Sequence, residues 1–437
     1  MKSIGQVLAA TTLGVALAVA ANAQPEPQPF DPATRDAVVR ELAKALRDRY
    51  VFPDVGAQAA QKIEQQAAGG AYASLGRPQL AEALTRDLRD LAHDKHLGVM
   101  ARPPRGTAAA PGREQREAEE LRRMARDNFG VRKVEILPGN VGYLDLRFFP
   151  PAAAGGQTAI AAMNVLGNAD AVIVDLRQNG GGDPTQIQLI SSYFFSEPTH
   201  LNSLYWREGD RTEQFWTLPY VPGKRMADTP VFVLTSQGTF SGGEEFANNL
   251  KMLKRGTIVG ETTGGGANPG QGIDLPGNMG AFIPNGRAIN PISGKNWEGT
   301  GVEPDVKVKA EDALNVAYGQ ALEKVAARAT RPEEKAQAEW YLVQTQALLQ
   351  PVALDATALR PFAGRYGARL VTLENDTLFY QREGRPKRRL TPLTKDTFAV
   401  EDVPEFRVRF VSDGGAPATK LVGQYDDGQS DEDARTP

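Results

Sequence analysis

Val39, Leu42 and Leu46 recur at the spacing of a helix face and stop short of Pro53, and Leu80, Leu84, Leu88 and Leu91 repeat the pattern. Both runs predict helices, and residues 34–100 read as a small helical module. From Val141 the character changes. VGYLDLRFF, AVIVDLR, VFVLTS and TIVG are short apolar, β-branched runs, separated by helix-like segments such as TAIAAMNVL. Alternating strand and helix predict an α/β domain with a largely parallel sheet over residues 136–308. Leu314, Tyr318, Leu322 and Val325, then a stretch around Trp340 and Leu349, predict a helical connector over 309–350. Beyond it Phe406, Val408 and Phe410 alternate with Arg407 and Arg409, and Glu374 to Asp376 make a turn, so residues 351–425 read as a small β-rich domain. The acidic DDGQSDEDARTP at 426–437 reads as a disordered tail.

Two polar stretches separate these units. RPPRGTAAAPGREQRE, followed by Leu121 and Met124, makes residues 101–135 a linker with a connecting helix, and QPEPQPFDPA makes residues 24–33 a linker. Lys2, an apolar run from Val7 to Ala21, and small residues at Ala21 and Ala23 have the layout of a secretory signal over residues 1–23, cut after Ala23. An uncleaved anchor helix is the alternative, for which the alanine-rich run is short. The mature protein is therefore expected to be periplasmic or secreted, without stable membrane insertion.

With 437 residues the chain has room for two or three domains. Its 41% hydrophobic and 24% charged residues are ordinary globular usage, so it is expected to fold. A net charge of −3 without a long basic run lacks the electrostatic footprint of a nucleic-acid binder. Cysteine is absent, which excludes disulfides, thiolate catalysis and cysteine-ligated metals. Any nucleophile must carry oxygen or nitrogen.

The sharpest local feature is TSQGTFSGGEEFANNLKMLKRG at 235–256. Ser241 falls at a strand-to-helix corner, where the amides of Gly242 and Gly243 are free to face an anion and the helix dipole favours negative charge. The same residues, Ser241 through Glu244, match an S-x-x-E capping box with Phe240 as its staple, so capping and catalysis both fit this segment. It is not a G-x-S-x-G elbow. In AVIVDLRQNGGGDPTQ at 171–186, a strand ends in Asn179-Gly180-Gly181-Gly182 and a helix follows Asp183. That loop suits a phosphate cradle, half an oxyanion hole, or a plain structural turn. No lysine completes a P-loop and G-x-G-x-x-G is missing. The histidines are His93, His96 and His200. An imidazole is the usual base for a serine, while His93 and His96 also form an H-x-x-H pair; no H-E-x-x-H pattern accompanies them, and no metal or other cofactor is expected.

In order, LAHDKHLGV, VEILPGNVGYLDLRFF, VIVDLRQNGGG, LTSQGTFSGGEEFANNLK, IVGETTGGG and NWEGTGVEPDV resemble the tail-specific (carboxy-terminal processing) serine protease family. The resemblance covers residues 34–308 and is closest to the branch containing tricorn core protease and the interphotoreceptor retinoid-binding proteins. It implies a crotonase/ClpP-like α/β core with a parallel sheet, preceded by the helical module and followed by the β-rich domain. It also implies an exported peptidase acting on peptide or protein substrates through an acyl-enzyme. The family serine lies three residues before a glutamate that opens a helix, which is Ser241 before Glu244 here. The serine–lysine branch has a lysine where this chain has Gly264 to Asn268, so that dyad is not supported. The tricorn-like branch implies His96 as general base and Glu298 as the group orienting it, a division of labour that stands on its own chemistry. The oxyanion would meet the amide of Gly242 and that of Gly182 or Gly181.

Two departures stand out. Too few residues separate HLGVM from VEILPG for a peptide-binding PDZ module, and Asn268 occupies a loop position where near relatives are expected to have histidine. Two rivals also remain. One is a catalytically silent binding protein for an apolar ligand on the same fold; the other is a crotonase-like enzyme acting on acyl thioesters, for which no coenzyme A site is evident.

Overall fold

The computed structural model describes residues 30–103, 112–412 and 417–436. The segment read as a secretory signal lies outside the described residues. Helix α1 (Pro32–Arg49) begins where the Asp31 carboxylate accepts from Thr34 N–H at 2.8 Å and Pro32 presets the first helical turn. α2 (Pro53–Ala68) also starts at a proline, and α3 (Arg77–Ala92) carries one, Pro78, at its second position. Val38, Leu42, Leu46, Ile63, Leu80, Leu84 and Leu88 from these helices share one core with Val99 of β1 (Gly98–Ala101). α4 (Arg113–Arg126) follows and lies mostly exposed.

The α/β core then alternates as its apolar pattern predicts: β2 (Val131–Leu137), β3 (Val141–Leu146), α5 (Ala152–Leu166), β4 (Ala171–Asp175) and α6 (Pro184–Ser191). A hairpin of β5 (His200–Trp206) and β6 (Arg211–Trp216) interrupts, before β7 (Val231–Thr235), α7 (Gly242–Met252) and β8 (Thr257–Gly260). Three short strands come next, β9 (Gly270–Leu275), β10 (Met279–Pro284) and β11 (Gly286–Ile289), and β12 (Val306–Lys307) completes the six-stranded sheet β12-β8-β7-β4-β3-β2. Every pairing in that sheet is parallel except β2 with β3.

Period-two alternation divides the sheet's side chains between two cores. Val172, Val174, Val231, Val233 and Ile258 face α5, α6 and α7, with Phe246 and Leu250 fully buried among them. Ile173, Phe232, Leu234 and Val259 face α8 (Ala313–Arg328) and α9 (Pro332–Leu349) on the other side. A sheet covered on both faces leaves the loops at the carboxyl ends of its parallel strands as the place for a site. The glycine loop after β4, the turn before α7 and the glycine-rich segment after β8 all leave from that edge. β1, β9 and β10 form a separate antiparallel sheet whose Leu275, Met279, Ala281 and Ile283 pack into the helical module's core. That packing fixes the module to the core.

The carboxyl-terminal domain is a closed barrel of eight strands, from β13 (Gly364–Tyr366) to β20 (Ser430–Thr436). This corrects the reading of 426–437 as a disordered tail: residues 430–436 form the last strand, paired on one side with Lys420–Gln424 and on the other with β13. Asp427-Gly428 makes the hairpin turn, with Gly428 at φ 84°. The acidic side chains are held by cations. Arg369, 2% exposed, pairs through Nη2 with Asp431 at 2.5 Å and through Nη1 with Asp433 at 3.3 Å, and Lys420 meets Glu432 at 2.9 Å. Closing the barrel also removes the open sheet edges that β13 would otherwise present. Replacing Arg369 with alanine leaves a cavity and unpaired acids on β20. We expect a loss of about 2–4 kcal/mol, read as an earlier barrel transition in urea denaturation followed by tryptophan fluorescence; an unchanged transition would contradict this account of barrel closure.

Candidate active site

β7 ends at Thr235, and the chain turns through residues 236–240 into α7, whose amino-terminal boundary residue is Ser241. Ser241 has φ 52° and ψ −118°. A non-glycine residue in this region is strained, at about 1–3 kcal/mol, and needs its surroundings to hold it there. They do so through several bonds. Phe240 N–H donates to Asn179 O at 3.0 Å, Gly243 N–H to Phe240 O at 2.9 Å, and Ser241 N–H to the Glu244 carboxylate at 2.8 Å. The glutamate half of the capping box therefore forms, whereas the Ser241 hydroxyl makes no cap hydrogen bond. Capping alone does not account for the serine.

The loop after β4 reaches this turn. A Cβ on Gly181 would lie 2.7 Å from Ser241 Cβ and 2.9 Å from Gly242 N, so glycine is needed for the approach. Gly181 N–H donates to Asn179 Oδ1 at 2.8 Å, and Asp183 N–H to Phe149 O at 2.7 Å. Between them, the Gly182 N–H has no acceptor among the described residues, and neither does Gly242 N–H. Of the two glycines that the sequence reading left open as a second donor, Gly181 is already committed.

His96 sits in the loop between α3 and β1. Its ring lies 4.7 Å from that of Phe240, the residue before Ser241, and 6.0 Å from that of Phe282 on β10. A Cβ on Gly266 would come within 2.7 Å of His96 Cε1 and 2.3 Å of Phe240 Cζ, so that glycine makes room for both rings. His96 Nδ1 is buried and has no hydrogen-bond partner among the described residues. Burial pushes the imidazole below its ordinary value, against the charge of Asp94, which raises it. A ring nitrogen of His96 and carboxylate oxygens of Asp94 and Glu298 all lie within 4.8 Å of one another. Such a set could also hold a cation, but the oxygens already accept protein donors. Glu298 takes the amides of Ala267 at 2.5 Å, Lys95 at 3.1 Å and Asn268 at 3.2 Å, while burial, then Asp94, push its carboxyl up to about 7.

Glu244, fully buried, is the least anticipated part. Beyond Ser241 N–H it accepts from Thr263 Oγ1 at 2.5 Å, Gly265 N–H at 2.6 Å and Gly266 N–H at 2.8 Å; burial raises its carboxyl while these donors oppose the rise. Asp94 was also missed, although the spacing D-x-H is that of an Asx turn: its Oδ1 accepts from His96 N–H at 2.9 Å. Its Oδ2 accepts from Asn268 Nδ2 at 2.9 Å and Tyr50 Oη at 3.0 Å, which gives the unexpected Asn268 a partner. His93 ends α3 in a left-handed conformation and is not part of the cluster around His96. His200 stacks on Trp216 at 4.7 Å in the β5–β6 hairpin. Two hollows border the site: a cleft of about 900 Å³ lined in part by Lys95, Phe240 and Gly264, and a pocket of about 470 Å³ lined in part by Met124, Phe148, Gly181 and Gly182.

Residues 140–308 match the family model described as peptidase family S41, and residues 33–137 match that described as the N-terminal domain of Peptidase_S41 in eukaryotic IRBP. Among curated proteins the chain is similar to the chloroplastic C-terminal processing peptidase of Tetradesmus obliquus, 27% identical over 39% of this chain and 36% of that one. It is also similar to the carboxy-terminal processing protease CtpB of Bacillus subtilis (strain 168), 24% identical over 40% of this chain and 35% of that one. The match thus spans little more than a third of each relative. Among solved structures, the photosystem II D1 C-terminal processing protease is similar over 64% of this chain and 94% of that one, at 20% identity and a TM-score of 0.40. Together the two family models span residues 33–308, the helical module and the α/β core, and the chain carries a peptidase family S41 domain at 140–308.

Proposed function

We propose that this protein is an exported serine peptidase that hydrolyses peptide bonds through an acyl-enzyme on Ser241. One observation carries the reading: a strained serine whose hydroxyl is not used as a cap, beside two glycine amides without acceptors among the described residues and a half-buried histidine. Ser241 Oγ attacks the scissile carbonyl carbon while His96 takes its proton, and the carbonyl oxygen becomes an oxyanion facing the amides of Gly242 and Gly182. The imidazolium returns the proton to the departing amine, which leaves the acyl group on Ser241. Water, deprotonated by the same imidazole, then attacks the acyl carbon, and the imidazolium returns that proton to Ser241 Oγ as the C–Oγ bond breaks and the acid is released. Glu298 faces the imidazole and balances its transient charge. The hollows on Lys95 and Met124 leave room for polypeptide around the scissile bond.

The match of residues 33–137 to a domain described for IRBP is what favours the rival, a binding protein without turnover. A fluorophosphonate probe separates the two. The full chain is expected to label on Ser241, to lose labelling in Ser241→Ala, and to slow by about 10²- to 10⁴-fold in His96→Ala. An unlabelled wild-type chain would leave the binding protein standing. Labelling is also expected to survive EDTA.

The acid side of the pH profile follows from the shifts. Burial holds His96 below its ordinary value, whereas burial and Asp94 push Glu298 up so that it ionises only near 7. Activity is therefore expected to rise as pH climbs through about 7, and a limb below pH 5 would contradict it.

Backbone strain gives a further check. Glycine tolerates a φ of 52°, so Ser241→Gly should be about 1 kcal/mol more stable than Ser241→Ala in thermal melts, with neither variant active. Equal stability would mean that the turn stores no strain.

A further inference from the structure

Asp94 lies outside the serine–histidine–glutamate scheme, yet it is 1% exposed and meets three donors: His96 N–H, Asn268 Nδ2 and the Tyr50 hydroxyl. Amide N–H groups can only donate, and each Asp94 oxygen accepts one, a pattern that suits the ionised form. Burial, then Asp94 itself, raise the Tyr50 hydroxyl, which keeps it a donor. A buried charge held in this way is costly unless something uses it.

We infer that Asp94 is a second carboxylate serving His96: a positioning residue that fixes the loop carrying the imidazole and whose charge stabilises the imidazolium formed when Ser241 is deprotonated. The inference rests on the peptidase reading above. Geometry carries it, because the Asp94 and Glu298 oxygens and a His96 ring nitrogen lie within 4.8 Å of one another, and the unpartnered Nδ1 belongs to that ring. At such separations an opposite charge typically moves a pKa by about 1–3 units. The other charged and titratable groups around the imidazole are Glu298, Arg89 on α3, whose Nε is bound to Leu97 O at 2.7 Å, Lys95, whose Nζ is bound to Gly264 O at 2.5 Å, and Tyr50. Asp94 raises both His96 and Glu298, while Arg89 lowers His96. Removing the Asp94 charge lowers both partners. The imidazole then stays neutral, and Glu298 stays ionised, to a lower pH.

The test is the rate constant for fluorophosphonate inactivation of the full chain, followed from about pH 5 to 9. Asp94→Asn keeps the size of the side chain and removes the charge. It is expected to lower the plateau about 10-fold and to move the acid limb down by about 1 pH unit. A lowered plateau with an unmoved limb would mean that Asp94 merely supports the loop, and would overturn the inference. If circular dichroism shows that Asp94→Asn does not fold, Glu298→Gln decides. With Asp94 still backing His96, its rate should stay within about 10²-fold of wild type, and a fall to the level of Ser241→Ala would overturn the inference. Failure of the wild-type chain itself to react would instead remove the peptidase reading on which this one rests.

Discussion

The site depends on six consecutive residues, 263–268, whose backbone amides are all taken. Thr263 and Gly264 donate to Val302 O and Thr239 O, Gly265 and Gly266 to the Glu244 carboxylate, and Ala267 and Asn268 to that of Glu298. Asn268 then extends its side chain to Asp94. Each carboxylate arrives with a different piece of the proposed machinery: Glu244 with the serine, Glu298 with its own loop, Asp94 with the histidine. Hydrogen bonds to ionised acceptors are the strong ones, and inside a low-dielectric site they gain further. The segment works as a clasp.

That clasp explains how a strained serine and a distant imidazole can belong to one fold. His96 comes from the helical module, which is attached to the core through β1, β9 and β10, and the clasp leads directly into β9. Packing of Leu275, Met279, Ala281 and Ile283 therefore positions the histidine loop as well as stabilising the module. The glycines within the clasp are a steric necessity at Gly266, where no side chain fits between His96 and Phe240. Local strain at Ser241 is offset by the Glu244 carboxylate, which grips both the turn and the clasp.

Much of the architecture was legible because the sheet is buried on both faces: AVIVD and VFVLT could hardly be anything but central parallel strands. The helical module was legible from its leucine spacing. Short antiparallel pieces were not, since β5, β6, β9, β10 and β11 carry mixed, weakly alternating residues between stronger signals. The acidic terminus was misread because composition outweighed a turn signal, Asp427-Gly428, and because the cation that holds it, Arg369, lies 62 residues away in sequence. At the site, Ser241, His96, Glu298 and the glycine loops carried local signatures. Glu244 showed only half its role, as a cap, because its other partners sit 19 to 22 residues downstream and reach it through tertiary structure. Asn268 looked like a mere departure until Asp94 supplied its partner.

The central claim is that three separated segments are clasped around one reactive hydroxyl. A crystal structure of the full chain carrying a peptidyl phosphonate would test it most directly. The account predicts phosphorus bonded to Ser241 Oγ, its oxygen about 2.7–3.1 Å from the amides of Gly182 and Gly242, and His96 within hydrogen-bond reach of Oγ. An adduct whose oxygen turns away from both amides, or an imidazole that stays out of reach, would contradict it.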